Sequence, residues 1–230
     1  MGAQNVRPQT LLEWRMLFGG IYGEHNRKGY SLEQIEIQLW QQHSKIAKCI
    51  RKNDTGELGV QLAVFFGWFM AYLERLGLSI EEVAWHKYPN VCLTCFVSHD
   101  CVCIRNKRKY DPRDQRVNVY RRDTRNIFKT LPELQDMADR LFATINGIQS
   151  VENIWFHLVE EIGEMSTEVA RWDVAQPIPD TLKEECGDVC LWLLSFCTRA
   201  GIRLDQVAWE TYPGECNICR KEKCDCPFPR

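Results

Sequence analysis

The sequence has no excess of charge of either sign: 29 Lys and Arg stand against 31 Asp and Glu, a formal net charge of -2. This balance argues against a nucleic-acid coat and against an acidic tail. A secretory leader is not expected, because MGAQNVRPQTLLEW carries no apolar run behind a basic start. The same start is a poor acylation signal, with Val6 where Ser or Thr is expected. Long hydrophobic runs are absent too. Leu58 to Leu73 is the longest, and Gln61 interrupts it. It is shorter than the roughly 20 residues of a bilayer-spanning helix and reads as a helix buried on all sides. Strand-like alternation is scarce. These absences predict an all-α cytoplasmic chain without a membrane partner, and they make nucleic acid an unfavoured one.

Cysteine, by contrast, is abundant, with twelve residues. Without a secretory signal they are expected to stay reduced. Eight fall into two matching groups, Cys92, Cys95, Cys101 and Cys103, and Cys216, Cys219, Cys224 and Cys226. Two thiolate pairs joined by a short loop suit tetrahedral Zn²⁺, and a knuckle without its own core needs the metal to fold. Two structural zinc sites are the expectation, with iron–sulfur binding and redox disulfides as the rival readings. His99 is a potential substitute ligand. Cys49, Cys186, Cys190 and Cys197 lie at helical positions and read as core.

The cysteine groups belong to a longer self-similarity. LSIEEVAWHKYPNVCLTC at 78–95 aligns without gaps to IRLDQVAWETYPGECNIC at 202–219. Upstream, Trp68 pairs with Trp192, SLEQI at 31–35 with SVENI at 150–154, and QTLLEW at 9–14 with KTLPEL at 129–134. The sequence therefore reads as two tandem repeats, 9–103 and 129–226, each of three or four helices followed by a zinc knuckle of four cysteines. Thr10, Thr130, Ser31 and Ser150 are expected N-caps. The intervening 104–128 has nine Lys and Arg against three Asp and no amphipathic period. It reads as a solvated linker or as a basic strap over polyphosphate or nucleic acid.

The C-terminal repeat concentrates acids beside apolar stripes. In HLVEEIGEMSTEVAR, Glu161 and Glu164 are helical neighbours next to Leu158, Ile162, Met165 and Val169. In LKEECGDVCLWLL, Glu185 and Asp188 bear the same relation to Leu182, Cys186 and Val189. Either stripe alone reads as a solvated face. Packed through their apolar faces, the two helices would gather four carboxylates around one groove, and crowded acids call for hard cations such as Mg²⁺ or Mn²⁺. Glu160-Glu161-Ile-Gly-Glu164 followed by Glu185-Cys-Gly-Asp188 resembles the EExxE…ExxD signature of the MazG-like, all-α nucleoside triphosphate pyrophosphohydrolase superfamily. The resemblance covers most of 129–212. It implies Mg²⁺-dependent hydrolysis of a (d)NTP to monophosphate and pyrophosphate. Glu161, Glu164, Glu185 and Asp188 would hold the metal, and Glu160 would act behind them or orient the water.

In the N-terminal repeat the same alignment puts Gln41, Gln42 and Lys45 opposite Glu160, Glu161 and Glu164. Gln61 and Val64 stand opposite Glu185 and Asp188. A degenerate copy beside an active one is the simplest account. In the resembled family, sites form between paired subunits, so the tandem copy would form a pseudo-dimeric helix bundle, with further pairing into a homodimer also open. A surface position is the leading reading of Lys45, a phosphate contact the other. The alternative to an enzyme is a nucleotide-sensing or zinc-knuckle adaptor module without turnover. Substrate-binding residues are not legible.

Overall fold

The computed structural model describes residues 6–103, 111 and 113–228, and among the described residues no strand occurs. The helices are α1 (Leu11–Gly29), α2 (Leu32–Lys52), α3 (Thr55–Leu76), α4 (Ile80–Lys87), α5 (Gln115–Arg122), α6 (Leu131–Ile148), α7 (Val151–Arg171), α8 (Asp180–Arg199) and α9 (Leu204–Thr211). All four expected caps form. The Thr10 and Thr130 hydroxyls accept from the backbone N–H of Glu13 and Glu133, whose carboxylates accept from the cap backbone in return. Ser31 and Ser150 accept from Gln34 and Asn153. Each such cap contributes about 1 kcal/mol to its helix. Gly77 after α3 and Gly201 after α8 both take φ of 70°, the left-handed conformation that stops a helix.

The chain forms two compact units, Met1–Ser79 with Arg203–Arg230, and Ile80–Ile202. These bounds cut across the sequence repeats 9–103 and 129–226. Each unit is completed by the last helix and the cysteine group of the other half of the sequence.

In the first unit, α1, α2 and α9 pack on α3. Trp14, Phe18 and Phe66 form an aromatic cluster, with ring centroids of Phe18 and Phe66 at 5.5 Å and of Phe18 and Tyr212 at 5.3 Å. By length and composition α3 could cross a bilayer, but 67% of its apolar window is buried within the protein. This is the burial of a core helix, as the interrupted run predicts.

In the second unit, α4, α6 and α7 pack on α8. Ile154, Leu158, Ile162 and Met165 of α7 are wholly buried, as are Leu182, Cys186, Val189 and Phe196 of α8. The approach of α4 is close enough to require glycine. A Cβ on Gly187 would lie 2.7 Å from both the Val83 carbonyl oxygen and the Lys87 Cβ.

Part of the basic segment 104–128 also belongs to this unit, although residues 104–110 and 112 lie outside the described residues. Helix α5 buries Val117 completely against Val91 and Leu93. Phe96 stacks on Tyr120 at 5.6 Å, and the Arg116 guanidinium sits 4.1 Å from the centre of the Phe96 ring. This stretch is thus a docked helix rather than a solvated linker. One fully buried aliphatic side chain in eight residues leaves no periodicity to read.

Gly187→Ala should cost about 1–3 kcal/mol of stability through overpacking, read as a lower urea midpoint. Gly163→Ala is the control, with nothing within 4 Å of its Cβ, and should be neutral or gain up to about 1 kcal/mol. Equal midpoints would contradict the packing of α4 on α8.

Candidate functional site

One helical turn separates Glu161 from Glu164 on α7, and likewise Glu185 from Asp188 on α8. Packing of the two apolar faces turns these acids toward each other. Carboxylate oxygens of Glu161, Glu164 and Glu185 all lie within 4.8 Å of one another. Asp188 is deeper, at 8% exposure. It pairs with the Lys87 ammonium from the end of α4 and accepts from the Tyr88 hydroxyl. Glu160 is exposed and faces the His157 Nδ1 at 3.0 Å, outside the cluster of oxygens.

Three further contacts fix the acids. Trp192 Nε1 donates to Glu161 Oε1 at 3.1 Å, and the His157 ring stacks on Trp192 at 4.4 Å. Glu184 accepts from Arg121 of α5 at 2.8 Å. Arg121 also donates to the His86 carbonyl at 2.7 Å, which ties α5 to α4. Sequence reasoning missed Lys87, Tyr88, Arg121 and Trp192 as parts of this site. One signal was available for Lys87: its counterpart in the other copy of V-A-W-x-x-Y-P is Thr211.

Crowding and burial shape the protonation of the site. Burial, followed by the charges of Asp188, Glu185 and Glu164, pushes Glu161 up to about 9. Burial pushes Glu185 up to about 7 against the opposing pull of Lys87. Asp188 is raised by burial, with Lys87 and Tyr88 opposing. Lys87 is itself buried, which works against its charge, yet Asp188 and the neighbouring glutamates hold it above the usual lysine range. His86 is lowered to about 4, by burial first and then by Arg121.

The donor set fits a hard divalent cation. It is all oxygen, three of its carboxylates converge, and Glu185 Oε2 is buried without a hydrogen-bond partner. The aligned positions of the first unit offer no such set. There the Gln42 amide donates to the Gln61 carbonyl oxygen at 3.1 Å and also to the Gln61 side-chain oxygen.

Both cysteine groups are assembled. Sulfur atoms of Cys92, Cys95, Cys101 and Cys103 lie within 4.8 Å of one another, as do those of Cys216, Cys219, Cys224 and Cys226. The separations of 3.6 Å for Cys95–Cys101 and 3.8 Å for Cys216–Cys226 are too long for disulfides. They match the roughly 3.8 Å between ligands of a tetrahedral ion with zinc–sulfur bonds near 2.3 Å. Backbone N–H groups of Thr94 and Ile218 point at Cys92 and Cys216, an arrangement that favours thiolate. His99 is exposed, with Nδ1 3.4 Å from the Ser98 hydroxyl, and takes no part. Cys49, Cys186, Cys190 and Cys197 are buried in the core.

Raised carboxyl values give a pH dependence of definite sign. Between the unfolded value of roughly 4.3 for Glu and folded values of about 7 and 9 for Glu185 and Glu161, the native chain holds more protons than the unfolded one. Stability without divalent cation should therefore fall as pH rises through that window. Thermal melts from pH 5 to 9 should show the fall, and both Mg²⁺ and Glu161→Gln should flatten it. A flat profile in the wild-type chain would contradict the crowded-acid geometry.

No curated protein and no solved structure matches the chain. Residues 149–212, the segment that bears all of the clustered acids, match the family model of the MazG nucleotide pyrophosphohydrolase domain, and the all-helical fold agrees with that likeness.

Proposed function

We propose that the chain is a Mg²⁺-dependent nucleotide pyrophosphohydrolase that cleaves a (d)NTP between its α and β phosphates. The observation that carries this reading is the convergence of Glu161, Glu164 and Glu185 around a buried, unpartnered carboxylate oxygen, within the segment similar to the MazG domain. Glu161, Glu164, Glu185 and Asp188 would hold the metal. When bound, the cation neutralises polyphosphate charge and acidifies a coordinated water.

The protein's own groups supply the rest. Trp192 fixes the Glu161 carboxylate, and Tyr88 fixes that of Asp188. Lys87 keeps one positive charge beside Asp188 and Glu185. Glu160, beside His157 and outside the converging oxygens, would act behind the ligands or orient the water. In the net reaction the α–β bridging P–O bond breaks and the water oxygen forms the new P–O bond. Pyrophosphate leaves, and one proton passes to solvent. We further infer that the two cysteine groups hold structural Zn²⁺ and that a reducing, cytoplasmic compartment keeps the remaining thiols free.

Pyrophosphate release from a panel of standard and modified (d)NTPs with Mg²⁺ tests the activity. Glu164→Gln should lose at least the roughly 10–100-fold typical of a group supporting a metal site. No turnover across the panel by folded, zinc-loaded protein would favour a nucleotide sensor or adaptor instead. Metal analysis of purified chain should find two zinc ions, and Cys95→Ser and Cys219→Ser should each remove one. Iron or acid-labile sulfide in place of zinc would overturn that assignment.

A further inference from the structure

The first unit, which lacks the acid cluster, has a cavity of its own at the aligned positions. It measures about 370 Å³ and is lined by residues of α1, α2, α3, the end of α9 and the second cysteine group. Gln38, Lys45, Gln61, Val64 and Trp68 in its wall correspond by alignment to His157, Glu164, Glu185, Asp188 and Trp192. Among the described residues no Asp or Glu lines it, and Lys45 is the one Lys or Arg that does. The comparable void beside Asp188 in the second unit has only about 10 Å³. Leu191 lines the small void, and Gly67, which aligns with it, lines the large one, where Phe18 approaches to 3.2 Å from the position a Cβ would take.

The chemistry of the cavity is that of a planar, polar ring system. Tyr22, Tyr30 and Trp68 offer aromatic surface, and the Tyr22 hydroxyl donates to Asn217 Oδ1 at 3.1 Å. Asn26 also lines the cavity. Its residue exposure is only 6%, and its Oδ1 is buried with no hydrogen-bond partner. A buried unsatisfied amide oxygen costs about 1–3 kcal/mol, and a ring N–H or exocyclic amine that gained access to it would relieve that cost. At Lys45 and Gln61 the cavity adjoins a second hollow, of about 390 Å³, lined also by Lys48 and Lys52. Asp54 and Glu57 line that hollow as well, against the three lysines; Asp54 accepts from the Glu57 backbone N–H, and Glu57 accepts from Gln61.

We propose that this paired hollow is a second nucleotide site that works without a divalent cation. The base lies among Tyr22, Tyr30, Trp68 and Asn26, and the phosphate reaches Lys45. Lysines replace the metal as counter-charge, and the Gln42–Gln61 amide pair takes the place of the carboxylates that would require one. The site does not depend on turnover in the second unit. It makes the first unit a nucleotide reader rather than an inert packing partner.

Titration of the full, zinc-loaded chain in Mg²⁺-free buffer tests it, using nucleoside monophosphates, the parent nucleosides and inorganic pyrophosphate as probes. At least one monophosphate should bind one-to-one, more tightly than its nucleoside and than pyrophosphate. Lys45→Glu, at an exposed position, should weaken the monophosphate about tenfold or more, the effect of losing one charged contact, and leave the nucleoside unchanged. Trp68→Leu should weaken both probes. Glu164→Gln should leave this binding unchanged, which separates it from the acid cluster even if no pyrophosphohydrolase activity is found. The proposal fails if no monophosphate binds. It fails equally if binding survives both Lys45→Glu and Trp68→Leu in chains whose melts match wild type, or if Glu164→Gln abolishes it.

Discussion

Burial of acids is the constraint on which the second unit depends. Asp188 and much of Glu161 and Glu185 are withdrawn from water, and carboxylates in that setting stay ionised only with a counter-charge at hand. Lys87 supplies it. Removing one partner of a buried pair commonly costs about 3–5 kcal/mol, so the end of α4 is bound to α8 by charge as well as by the close approach at Gly187. Arg121 extends the same logic outward. By pairing with Glu184 and capping the His86 carbonyl, it makes α5 part of the wall around the acids.

That charge also accounts for the partition of the chain. Helices α4 and α9 share the V-A-W-x-x-Y-P pattern, and on pattern alone either could pack against α8. Only α4 brings a cation. Thr211 stands where α4 has Lys87, and its hydroxyl is used locally on the Val207 carbonyl. The glycines agree: Gly187 leaves room for Val83 and Lys87, whereas Gly59 of α3 leaves room for Val207 of α9, whose Cγ1 a Cβ would meet at 3.1 Å. Each core helix is cut to fit the terminal helix of the other half.

What could be read from the sequence follows from how local each signal is. Caps such as Thr10 with Glu13 act over three residues, and the pairs Glu161/Glu164 and Glu185/Asp188 over one turn, so spacing alone places them. The convergence of α7 and α8 follows from their apolar stripes. Lys87 was not legible because it meets Asp188 across a long sequence separation, through a pairing that the repeat pattern leaves ambiguous. Helix α5 was hidden for a different reason. It is held by Val117, the Phe96–Tyr120 stack and Arg121, none of which makes a period.

Taken as copies of one another, the two halves differ in a way that simple decay does not explain. Loss of function requires only that acids disappear, and Gln42, Lys45, Gln61 and Val64 achieve that. It does not require amides that bond each other across α2 and α3. A helix buried as deeply as α3 gains from filling space, since cavities in a core cost stability roughly in proportion to their volume. Retention of a hollow lined by four aromatic residues and an unsatisfied Asn26 is therefore a cost the first unit bears, and a ligand that fills the hollow is what would offset it.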